Sequence, residues 1–496
     1  MHIHLIAICG TAMGTLAGML KAKGFQVSGS DDNVYPPMST QLEKWGIAIQ
    51  KGFSAKNLQP QPDLVIVGNA VSKTNPEVEA LLQSDIRYLS LPQALGEFFL
   101  ADKKSLIAAG THGKSTTTSL LAWMLYDLGF DPSLLVGAIP KNFDSSFRLG
   151  QGPYFVIEGD EYDTAFFDKG PKFWHYRPYQ VILTGIEFDH ADIYKDLEHV
   201  MKSFEGLVDR IPPEGCLYVC GDNENNLKLL SRAKCKVVTY GLGDKNQIRA
   251  TKVRLSPRGA SFTLVENGVE LGVLESPMAG NHNLQNLLGV LALLRRLPPP
   301  SPLLIQEGEL QSSPLFTKNL KIDALPLLNN KEGVGGWSIQ SSLSLFQGVK
   351  RRQEIRGVVN HITVIDDFAH HPTAIAETLD AIRSKYPHQK VWAIFEPRSN
   401  TSKRAIFQQD FPKALSHAQE VLLAKVFMPE KVKDSAVLDV EQVAEDIRKA
   451  KVPARSGLEV DEIVNIVSKE AKPGDVLLVM SNGGFGGIHQ KLLESL

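Results

Sequence analysis

Residues 105–123 read SLIAAGTHGKSTTTSLLAW, which predicts a short apolar strand, a Gly-Lys-Ser turn and the start of a Thr-rich helix. Backbone N–H groups in such a turn can bind phosphate oxygens at the helix N-terminus, where the helix dipole favours negative charge. The lysine of this motif reaches the β- and γ-phosphates, and the hydroxyl after it can hold Mg²⁺. The general pattern has a glycine where this chain has Ala108, so the turn is a variant of the phosphate loop. We expect it to bind ATP or GTP through Gly110, Thr111, His112, Gly113, Lys114, Ser115 and Thr116.

Size and composition limit the classes of protein to which the chain can belong. Its 496 residues give room for about three domains of ~150 residues, each able to bury its own core. Hydrophobic residues make up 43%, charged residues 22%, and the formal net charge is −2. This balance gives no reason to expect a nucleic acid or an anionic membrane as partner. No apolar run approaches the ~20 residues of a membrane span.

The N-terminus and the cysteines bear on the compartment. The opening MHIHLIAICG has neither a basic start nor a cleavage site, so it predicts a buried strand rather than a signal peptide. The chain has four cysteines, which are too few and too irregular for a disulfide framework. Cys216 and Cys220 could pair on a metal, but two residues are not a site, and we interpret all four as structural thiols. The expected compartment is a reducing one, the cytoplasm.

One local pattern recurs along the chain: an apolar strand, a glycine-rich or polar turn, then a helix. It is present at residues 3–20, 105–118, 391–403 and 476–493. Strands that alternate with helices predict parallel sheets covered by helices on both faces. Ligands of such sheets bind beyond the carboxyl ends of the strands. The predicted fold class is α/β, with three doubly wound, Rossmann-like domains and a central domain of the P-loop ATPase type.

Composition shifts suggest where these domains meet. We expect an N-terminal domain over residues 1–99, a central domain over 100–348 and a C-terminal domain over 349–496. Strand-like alternation at 248–275 is followed by a predicted helix at 283–297. Residues 298–340 begin with three prolines and continue as polar, Gly-rich sequence, which predicts an irregular insertion.

Two acidic strand ends narrow the chemistry. The stretch YFVIEGDEYD (154–163) places carboxylates at a strand end, where they repel one another unless they face a cation such as one held by Ser115. The stretch VILTGIEFDHADIY (181–194) adds a histidine among further carboxylates, which suits a second metal or a base. The acidic and histidine side chains concerned are Glu158, Asp160, Glu161, Asp163, Glu187, Asp189, His190 and Asp192.

Polar clusters also mark a helix start and the entry to the third domain. The sequence AGNHNLQN places a histidine and three asparagines at one helix start, more than capping requires. Arg352 is a candidate to stabilise the charge of a transferring phosphoryl group. It precedes the sequence DDFAHHPT, which holds two aspartates and two histidines. Together these groups suggest a nucleotide held between two domains.

The order of the motifs resembles that of the bacterial Mur ligases, ATP-dependent enzymes that build peptides onto UDP-N-acetylmuramic acid. The motifs are GTHGKS, IEGDEYD, EFDHADIY, GNHNLQN, GVKRR and DDFAHHPT. ICGTAMG, SDDNVYPPMSTQLEKWGI, EPRSNT and VMSNGGFGGIHQKLL resemble the members that attach the tripeptide L-alanyl-γ-D-glutamyl-meso-diaminopimelate. The resemblance implies ATP and Mg²⁺ as cofactors, and UDP-N-acetylmuramate and the murein tripeptide as substrates. It implies no oligomeric state.

The resemblance also assigns roles. The N-terminal domain is expected to bind UDP through Gly10, Gly14, Ser30 and Asp31. Lys114 is expected to contact the transferring phosphate, Ser115 and Glu158 to hold a first Mg²⁺, and His190 a second metal. His282 and Asn286 are expected at the nucleotide, Arg352 at the γ-phosphoryl group and Asp366 at the ribose. The expected catalytic residues are Lys114, His190 and Arg352.

The reaction implied is attack of the lactyl carboxylate on the γ-phosphate, followed by displacement of phosphate by the tripeptide amine, in peptidoglycan recycling. Arg398 is our candidate for a peptide carboxylate, because a guanidinium pairs with it bidentately. Some family members carry a carbamylated lysine, for which Lys202 is the nearest candidate, but nothing here matches convincingly and we do not predict the modification. Gly159 replaces an alanine that relatives tend to have.

Three alternatives stay open. A ligase that adds L-alanine alone would share the metal and ATP motifs, but we expect it to lack the Gly-rich loop at 483–487. A P-loop switch ATPase would explain the phosphate loop but not the other two glycine-turn domains. A nicotinamide oxidoreductase based on the turn at residues 10–14 would leave the ATP loop without a use.

Overall fold

The first domain is a five-stranded parallel sheet. The computed structural model describes residues 1–36, 38–298, 339–432 and 435–496. Strand β4 is apolar and buried along its whole length, as expected when helices cover both faces of a sheet. The strand order β3-β2-β1-β4-β5 is that of dinucleotide-binding folds. The elements are β1 (His2–Ile6), α1 (Thr11–Ala22), β2 (Gln26–Asp31), α2 (Met38–Lys44), β3 (Ala48–Lys51), β4 (Leu64–Val67), α3 (Pro76–Leu82), β5 (Tyr88–Ser90) and α4 (Leu91–Phe98).

Short polar signals fix where the helices of this domain begin. The Asn75 side chain accepts hydrogen bonds from two backbone N–H groups of α3, and Pro76 takes the first helical position. Ser90 and Gln93 form a reciprocal capping box at the start of α4. These caps place α4 directly before the central domain.

The central domain is a ten-stranded sheet with a parallel middle and antiparallel ends, in the order β17-β16-β15-β14-β13-β12-β6-β9-β7-β8. A separate hairpin, β10–β11, follows β9 and precedes β12 along the chain. The strands are β6 (Lys104–Ala109), β7 (Ser133–Leu135), β8 (Phe147–Arg148), β9 (Tyr154–Gly159), β10 (Asp163–Ala165), β11 (Asp168–Pro171), β12 (Pro178–Leu183), β13 (Cys216–Cys220), β14 (Lys236–Gly241), β15 (Ile248–Ser256), β16 (Gly259–Glu266) and β17 (Val269–Ser276). The helices are α5 (Lys114–Asp127), α6 (Leu197–Val208), α7 (Glu224–Leu227), α8 (Asn281–Leu294) and α9 (Ile339–Ser344).

Two local predictions in this domain can be compared with the structure. The alternation at 248–275 is confirmed as the three antiparallel strands β15 to β17. The helix predicted at 283–297 is observed as α8, which begins two residues earlier because Gly280, at φ +94°, precedes its first turn. It ends at Leu294. The insertion predicted over 298–340 lies, apart from its end residues, outside the described residues.

The C-terminal domain is a six-stranded sheet in the order β18-β19-β23-β20-β21-β22. Only β18 is antiparallel to its neighbour. Apolar cores cover both faces of this sheet. The elements are β18 (Glu354–Val359), β19 (Ile362–Asp367), α10 (Pro372–Lys385), β20 (Val391–Phe395), α11 (Asp410–Leu415), β21 (Glu420–Ala424), α12 (Val440–Lys449), β22 (Ala454–Leu458), α13 (Val460–Glu470), β23 (Val476–Met480) and α14 (Ile488–Ser495).

The predicted α/β class with parallel sheets is confirmed by these three sheets. No helix among the described residues has the length and apolar character that crossing a membrane requires. The phosphate loop follows β6, and the stretches ending in carboxylates follow β9 and β12, its two neighbours in the sheet. The carboxyl ends of three adjacent parallel strands therefore meet at one edge, as the sequence predicted.

Candidate active site

A cavity of about 670 Å³ lies between the central and C-terminal domains. Its wall includes the phosphate loop, the residues after β9 and β12, the first turn of α8 and the first two turns of α10. The predicted site residues in this wall are Thr111, His112, Gly113, Lys114, Ser115, Thr116, Glu158, His190, His282, Asn286 and Arg352. The structure thus brings most of the expected nucleotide and metal residues together. The predicted residues outside the wall are Gly110, Asp366, Arg398 and the four of the N-terminal domain.

The phosphate loop depends on two glycines with left-handed backbone. Gly110 has φ +136° and Gly113 has φ +79°, values that residues with a Cβ rarely adopt. A Cβ on Gly113 would also lie closer than 3.0 Å to the Asn286 side chain. Ala108, where the general motif has glycine, lies inside β6 and is fully buried. The departure from the motif therefore falls in the strand and leaves the loop itself intact.

The buried Glu161 pairs with two partly buried groups, Lys114 and His190, beside the loop. The Lys114 Nζ donates to Glu161 Oε1 at 3.0 Å, and His190 Nε2 lies 3.1 Å from the same oxygen. Burial would lower the pKa of Lys114 and of His190, but the carboxylates, Glu161 first, outweigh it and raise both. The second oxygen of Glu161, Oε2, is buried and has no hydrogen-bond partner among the described residues.

Ser115 and Glu158 supply oxygen atoms at the helix start. The Ser115 hydroxyl donates to Glu158 Oε1 at 2.9 Å, and the backbone N–H of Gly137 donates to Glu158 Oε2 at 2.8 Å. Arg352 reaches in from the C-terminal domain, with Nη2 3.4 Å from Ser115 Oγ. Its guanidinium also lies over the ring of Phe368, 4.8 Å from the centroid. A hydroxyl, a carboxylate and a cation are therefore gathered within one small region.

The donor set fits a magnesium ion. Mg²⁺ prefers hard oxygen ligands, which Ser115, Glu158 and the orphaned oxygen of Glu161 can provide. The Nε2 atom of His190 is hydrogen-bonded to Glu161, and the backbone of His190 is left-handed, with φ at +55°. The other hard candidate, Asp160, has one carboxylate oxygen bound to Lys172 at 2.6 Å.

The far part of the cavity combines amide and imidazole groups. His282 lies in the first turn of α8, with Nε2 3.4 Å from Gln353 Nε2. Burial, reinforced by the positive charges of His112 and Arg352, lowers the pKa of His282 to about 4. A neutral imidazole at neutral pH can donate or accept a single hydrogen bond at each nitrogen.

The two aspartates at the end of β19 point in different directions. Asp367 lines the cavity and accepts hydrogen bonds from the backbone N–H groups of Gln353 and Ala369, at 2.7 and 2.8 Å. Asp366 instead faces Arg351 and His489, at 3.5 and 3.3 Å. The prediction put the nucleotide contact on Asp366, whereas the neighbouring Asp367 is the one in the cavity wall.

In the N-terminal domain, the side chains of Asp31 and Ser30 also point in different directions. Asp31 accepts a hydrogen bond from the backbone N–H of Cys9 at 2.9 Å, so its carboxylate faces the turn before α1. Gly10 ends that turn, and Gly14 lies in the first turn of the helix. Ser30 donates to the fully buried Glu77 at 2.9 Å. Its hydroxyl is thereby turned away from the turn.

Arg398 lies after β20, beside the Gly-rich loop that follows β23. Its guanidinium stacks over Phe427, 3.7 Å from the ring centroid, and lies 3.5 Å from Glu396. A Cβ on Gly483 would lie closer than 3.0 Å to three atoms of this guanidinium group and its stem. Arg351, to which the sequence assigned no role of its own, donates to the carbonyls of Ser481 and Gly483 at 2.6 and 2.7 Å and so holds the loop.

Lys202 lies on an exposed face of α6, where it pairs with Glu198 at 2.9 Å. It is outside the cavity wall.

Three family models match successive parts of the chain. The model described as "Mur ligase family, catalytic domain" matches residues 2–103, "Mur ligase middle domain" matches 108–294, and "Mur ligase, glutamate ligase domain" matches 351–483. The chain belongs to the Mur ligase family. The resemblance read from the motifs is therefore confirmed, and with it the ligase class and the three-domain architecture.

Individual Mur ligases match over the whole chain. The Escherichia coli protein named UDP-N-acetylmuramate–L-alanyl-γ-D-glutamyl-meso-2,6-diaminoheptandioate ligase is 41% identical over 498 residues, covering 100% of this chain and 98% of the relative. The UDP-N-acetylmuramate–L-alanine ligase of Clostridium tetani is 30% identical and covers 97% and 95%.

Solved Mur ligase structures share the fold. The murein peptide ligase from Psychrobacter arcticus is 35% identical, with a TM-score of 0.67 and coverage of 100% of this chain and 98% of that one. The UDP-N-acetylmuramate-alanine ligase from Thermotoga maritima has a TM-score of 0.74 and the same coverage. Because it is 23% identical, that likeness shows the fold alone.

Proposed function

We propose that this chain is an ATP-dependent ligase that joins L-alanyl-γ-D-glutamyl-meso-diaminopimelate to the lactyl carboxylate of UDP-N-acetylmuramate, forming ADP and phosphate. The observation that carries the proposal is the 41% identity, over the full chain, to the Escherichia coli enzyme named for this reaction. The cavity between a phosphate loop and a second domain supports it, because it offers space for a nucleotide and an activated carboxylate. We place the reaction in the cytoplasm, as a step that recovers tripeptide from old peptidoglycan.

ATP is proposed to bind along the cavity, with its phosphates at the turn of residues 110–116. Lys114 would exchange one of its three present acceptors, the carbonyls of Gly110 and Thr111 and the carboxylate of Glu161, for a phosphate oxygen. Arg352 would meet the γ-phosphoryl group from the opposite domain. His282 and Asn286 would contact the nucleoside, with Asp367 rather than Asp366 in reach of it.

A magnesium ion would be held by Ser115 and Glu158, with Glu161 and His190 beside a second position. Bound there, it would neutralise phosphate charge as the phosphoryl group moves. Glu161 keeps Lys114 and His190 oriented by accepting from both with one oxygen. Arg352 adds positive charge next to Ser115.

In the proposed reaction the lactyl carboxylate oxygen bonds to the γ-phosphorus and ADP leaves, giving an acyl phosphate. The tripeptide amine then bonds to the acyl carbon, phosphate leaves, and the amine loses its proton. The UDP group would lie at the turn before α1, near Gly10, Gly14 and Asp31. Arg398 would receive a carboxylate of the tripeptide.

The test is a product assay with matched amine substrates. Purified enzyme is incubated with Mg²⁺-ATP and UDP-N-acetylmuramate, and either the tripeptide or L-alanine is added. We expect mass spectrometry to show the tripeptide adduct, with one ADP formed per adduct. An L-alanine adduct alone would reassign the enzyme to the sister reaction, and no adduct with either amine would overturn the proposed function.

A further inference from the structure

Three side chains with metal-binding atoms meet where the central and C-terminal domains touch. They are His112 in the phosphate loop, Glu187 after β12 and His371 at the start of α10, here called the interdomain His–Glu–His cluster. One ligand atom from each lies within 4.8 Å of the other two. Their origin in three separate segments means that the fold, and not a local sequence motif, brings them together.

The distances match a small metal centre. His112 Nε2 lies 3.5 Å from Glu187 Oε2, and His371 Nδ1 lies 3.6 Å from the same oxygen. Tetrahedral zinc, with bonds of about 2.0–2.1 Å, needs its ligand atoms roughly 3.3–3.4 Å apart. Both distances to the Glu187 oxygen are within a few tenths of an ångström of this value, and the two ring nitrogens lie within 4.8 Å of each other.

The hydrogen bonds around the cluster orient its donor atoms. His371 Nε2 lies 3.2 Å from the carbonyl oxygen of Phe188, so its N–H donates there and leaves the Nδ1 lone pair facing Glu187. Backing of this kind, from a carbonyl behind the imidazole, is typical of metal-ligating histidines. The Thr373 hydroxyl likewise donates to Glu187 Oε2 at 2.7 Å. The Thr373 N–H also points at Nδ1, at a long 3.3 Å, and a metal would replace that bond.

His112 supplies the second, independent sign of a missing ligand. Its Nε2 is buried and has no hydrogen-bond partner of good geometry among the described residues. A buried polar atom without a partner costs about 1–3 kcal/mol, so such atoms call for an explanation. Two imidazole nitrogens and one carboxylate are the donor set of many zinc sites, whereas Mg²⁺ prefers oxygen alone.

We propose that the interdomain His–Glu–His cluster binds a zinc-class divalent cation through His112 Nε2, Glu187 Oε2 and His371 Nδ1. Because two ligands belong to the central domain and one to the C-terminal domain, the bound ion holds the two domains together. The site is separate from the Ser115–Glu158 oxygens, and the proposal does not depend on which amine the ligase uses. It shares His112 with the phosphate loop, so nucleotide and zinc compete.

The test uses Co²⁺ as a spectroscopic substitute for zinc, added to the full-length chain without nucleotide or Mg²⁺. We expect one equivalent to produce the visible absorption of four-coordinate Co²⁺, and one equivalent of Zn²⁺ to remove it. His371→Asn, which keeps a side chain able to cap α10, and Glu187→Gln are each expected to weaken Co²⁺ binding at least tenfold. His417→Ala, an exposed histidine paired with Asp380 in the same domain, is the matched control.

Several outcomes would overturn the site. They are no absorption with wild-type protein, unchanged affinity in His371→Asn, or loss of the spectrum in Glu158→Gln, which would put the ion at the phosphate-loop oxygens instead. The interdomain role has its own readout, small-angle scattering. We expect Zn²⁺ to narrow the distribution of interatomic distances in the wild-type protein but not in His371→Asn. Equal scattering of the wild-type protein with and without Zn²⁺ would refute that role.

Discussion

Replacing Gly483 by alanine should weaken use of the tripeptide while leaving the fold and ATP binding intact. The added Cβ would lie closer than 3.0 Å to Nε, Cδ and Cζ of Arg398, so this side chain must leave its place over Phe427. The clash is with a flexible side chain and Gly483 does not have a positive φ, so we expect little change in the free energy of unfolding.

The size of the effect follows from what Arg398 would do in the proposed function. A hydrogen bond to a charged group contributes about 1.5–3 kcal/mol, and 1.4 kcal/mol corresponds to about a tenfold change in affinity. Displacing the guanidinium should therefore raise the KM for the tripeptide by roughly 10- to 100-fold. Loss of the Phe427 stacking adds to this only if Arg398 finds no other position.

The assay is initial rate of ADP release against tripeptide concentration, at saturating ATP and UDP-N-acetylmuramate. Gly484→Ala is the matched control, because a Cβ on Gly484 meets nothing within 4 Å among the described residues. The double variant Gly483→Ala, Arg398→Ala should be no worse than Arg398→Ala alone, since both remove the same contact. A KM for Gly483→Ala equal to that of Gly484→Ala, with both proteins folded, would refute the reasoning.

Three further predictions concern the phosphate loop and the carboxylates around it. Gly113→Ala should abolish detectable ATP binding in calorimetry, because φ +79° costs a residue with a Cβ about 1–2 kcal/mol and the methyl group also meets Asn286. Arg352→Ala should lower kcat on the order of 10²–10³-fold with a smaller change in ATP affinity, as measured by single-turnover kinetics and nucleotide titration. The pKa of Asp160 is lowered to about 2, against burial, chiefly by Lys172, so its stabilising contribution is complete above the ordinary value of 3.8 and is lost as pH falls towards 2. Between about pH 6 and pH 2, the melting temperature of Asp160→Asn should therefore change less with pH than that of the wild type.

The first two of these predictions have a control variant in the chain, and the third is compared with the wild type. Gly129→Ala, with φ +82° but nothing within 4 Å of the Cβ among the described residues, separates backbone strain from the clash at the loop. Lys350→Ala removes an exposed cation two residues from Arg352 that pairs with Asp144. Normal ATP binding in Gly113→Ala, equal kcat in Arg352→Ala and Lys350→Ala, or identical pH curves for Asp160→Asn and wild type would contradict the respective prediction.

The strand-turn-helix units were predictable from sequence because each is encoded within a few residues. An apolar run before a glycine turn and a helix start is a local signal, and β6 and α5 lie where that signal put them. The partners of a buried charge are encoded less directly. Glu161 and His190 are 29 residues apart and meet because β9 and β12 flank β6 in the sheet. Motif order suggested one crevice but could not pair these atoms.

The sequence left open which of two adjacent residues at a strand end faces the ligand. Successive residues of a strand point to opposite faces, so adjacent candidates at a strand end cannot both face a ligand. At the end of β19, Asp367 pairs with Met480 of β23 and its carboxylate lines the cavity, whereas the carboxylate of Asp366 faces His489. At the end of β2, Asp31 faces the glycine turn while Ser30 contacts Glu77. The sequence Asp-Asp or Ser-Asp alone does not show which of the two residues faces the ligand, because the register against neighbouring strands decides this.

Several contacts between the central and C-terminal domains are polar, and this bears on turnover in the proposed function. Asn400 donates to Asp192 at 2.9 Å, Thr373 to Glu187 at 2.7 Å, and Arg352 approaches Ser115 at 3.4 Å. Polar contacts separate more readily than large apolar ones, so in the proposed function the domains would part to release product. Because Arg352 enters the cavity from the C-terminal side, parting the domains also removes its charge from the phosphate loop. In the proposed function, closure would thereby be coupled to the positive charge that phosphoryl transfer needs, and it would protect an acyl phosphate from water until the amine is in place.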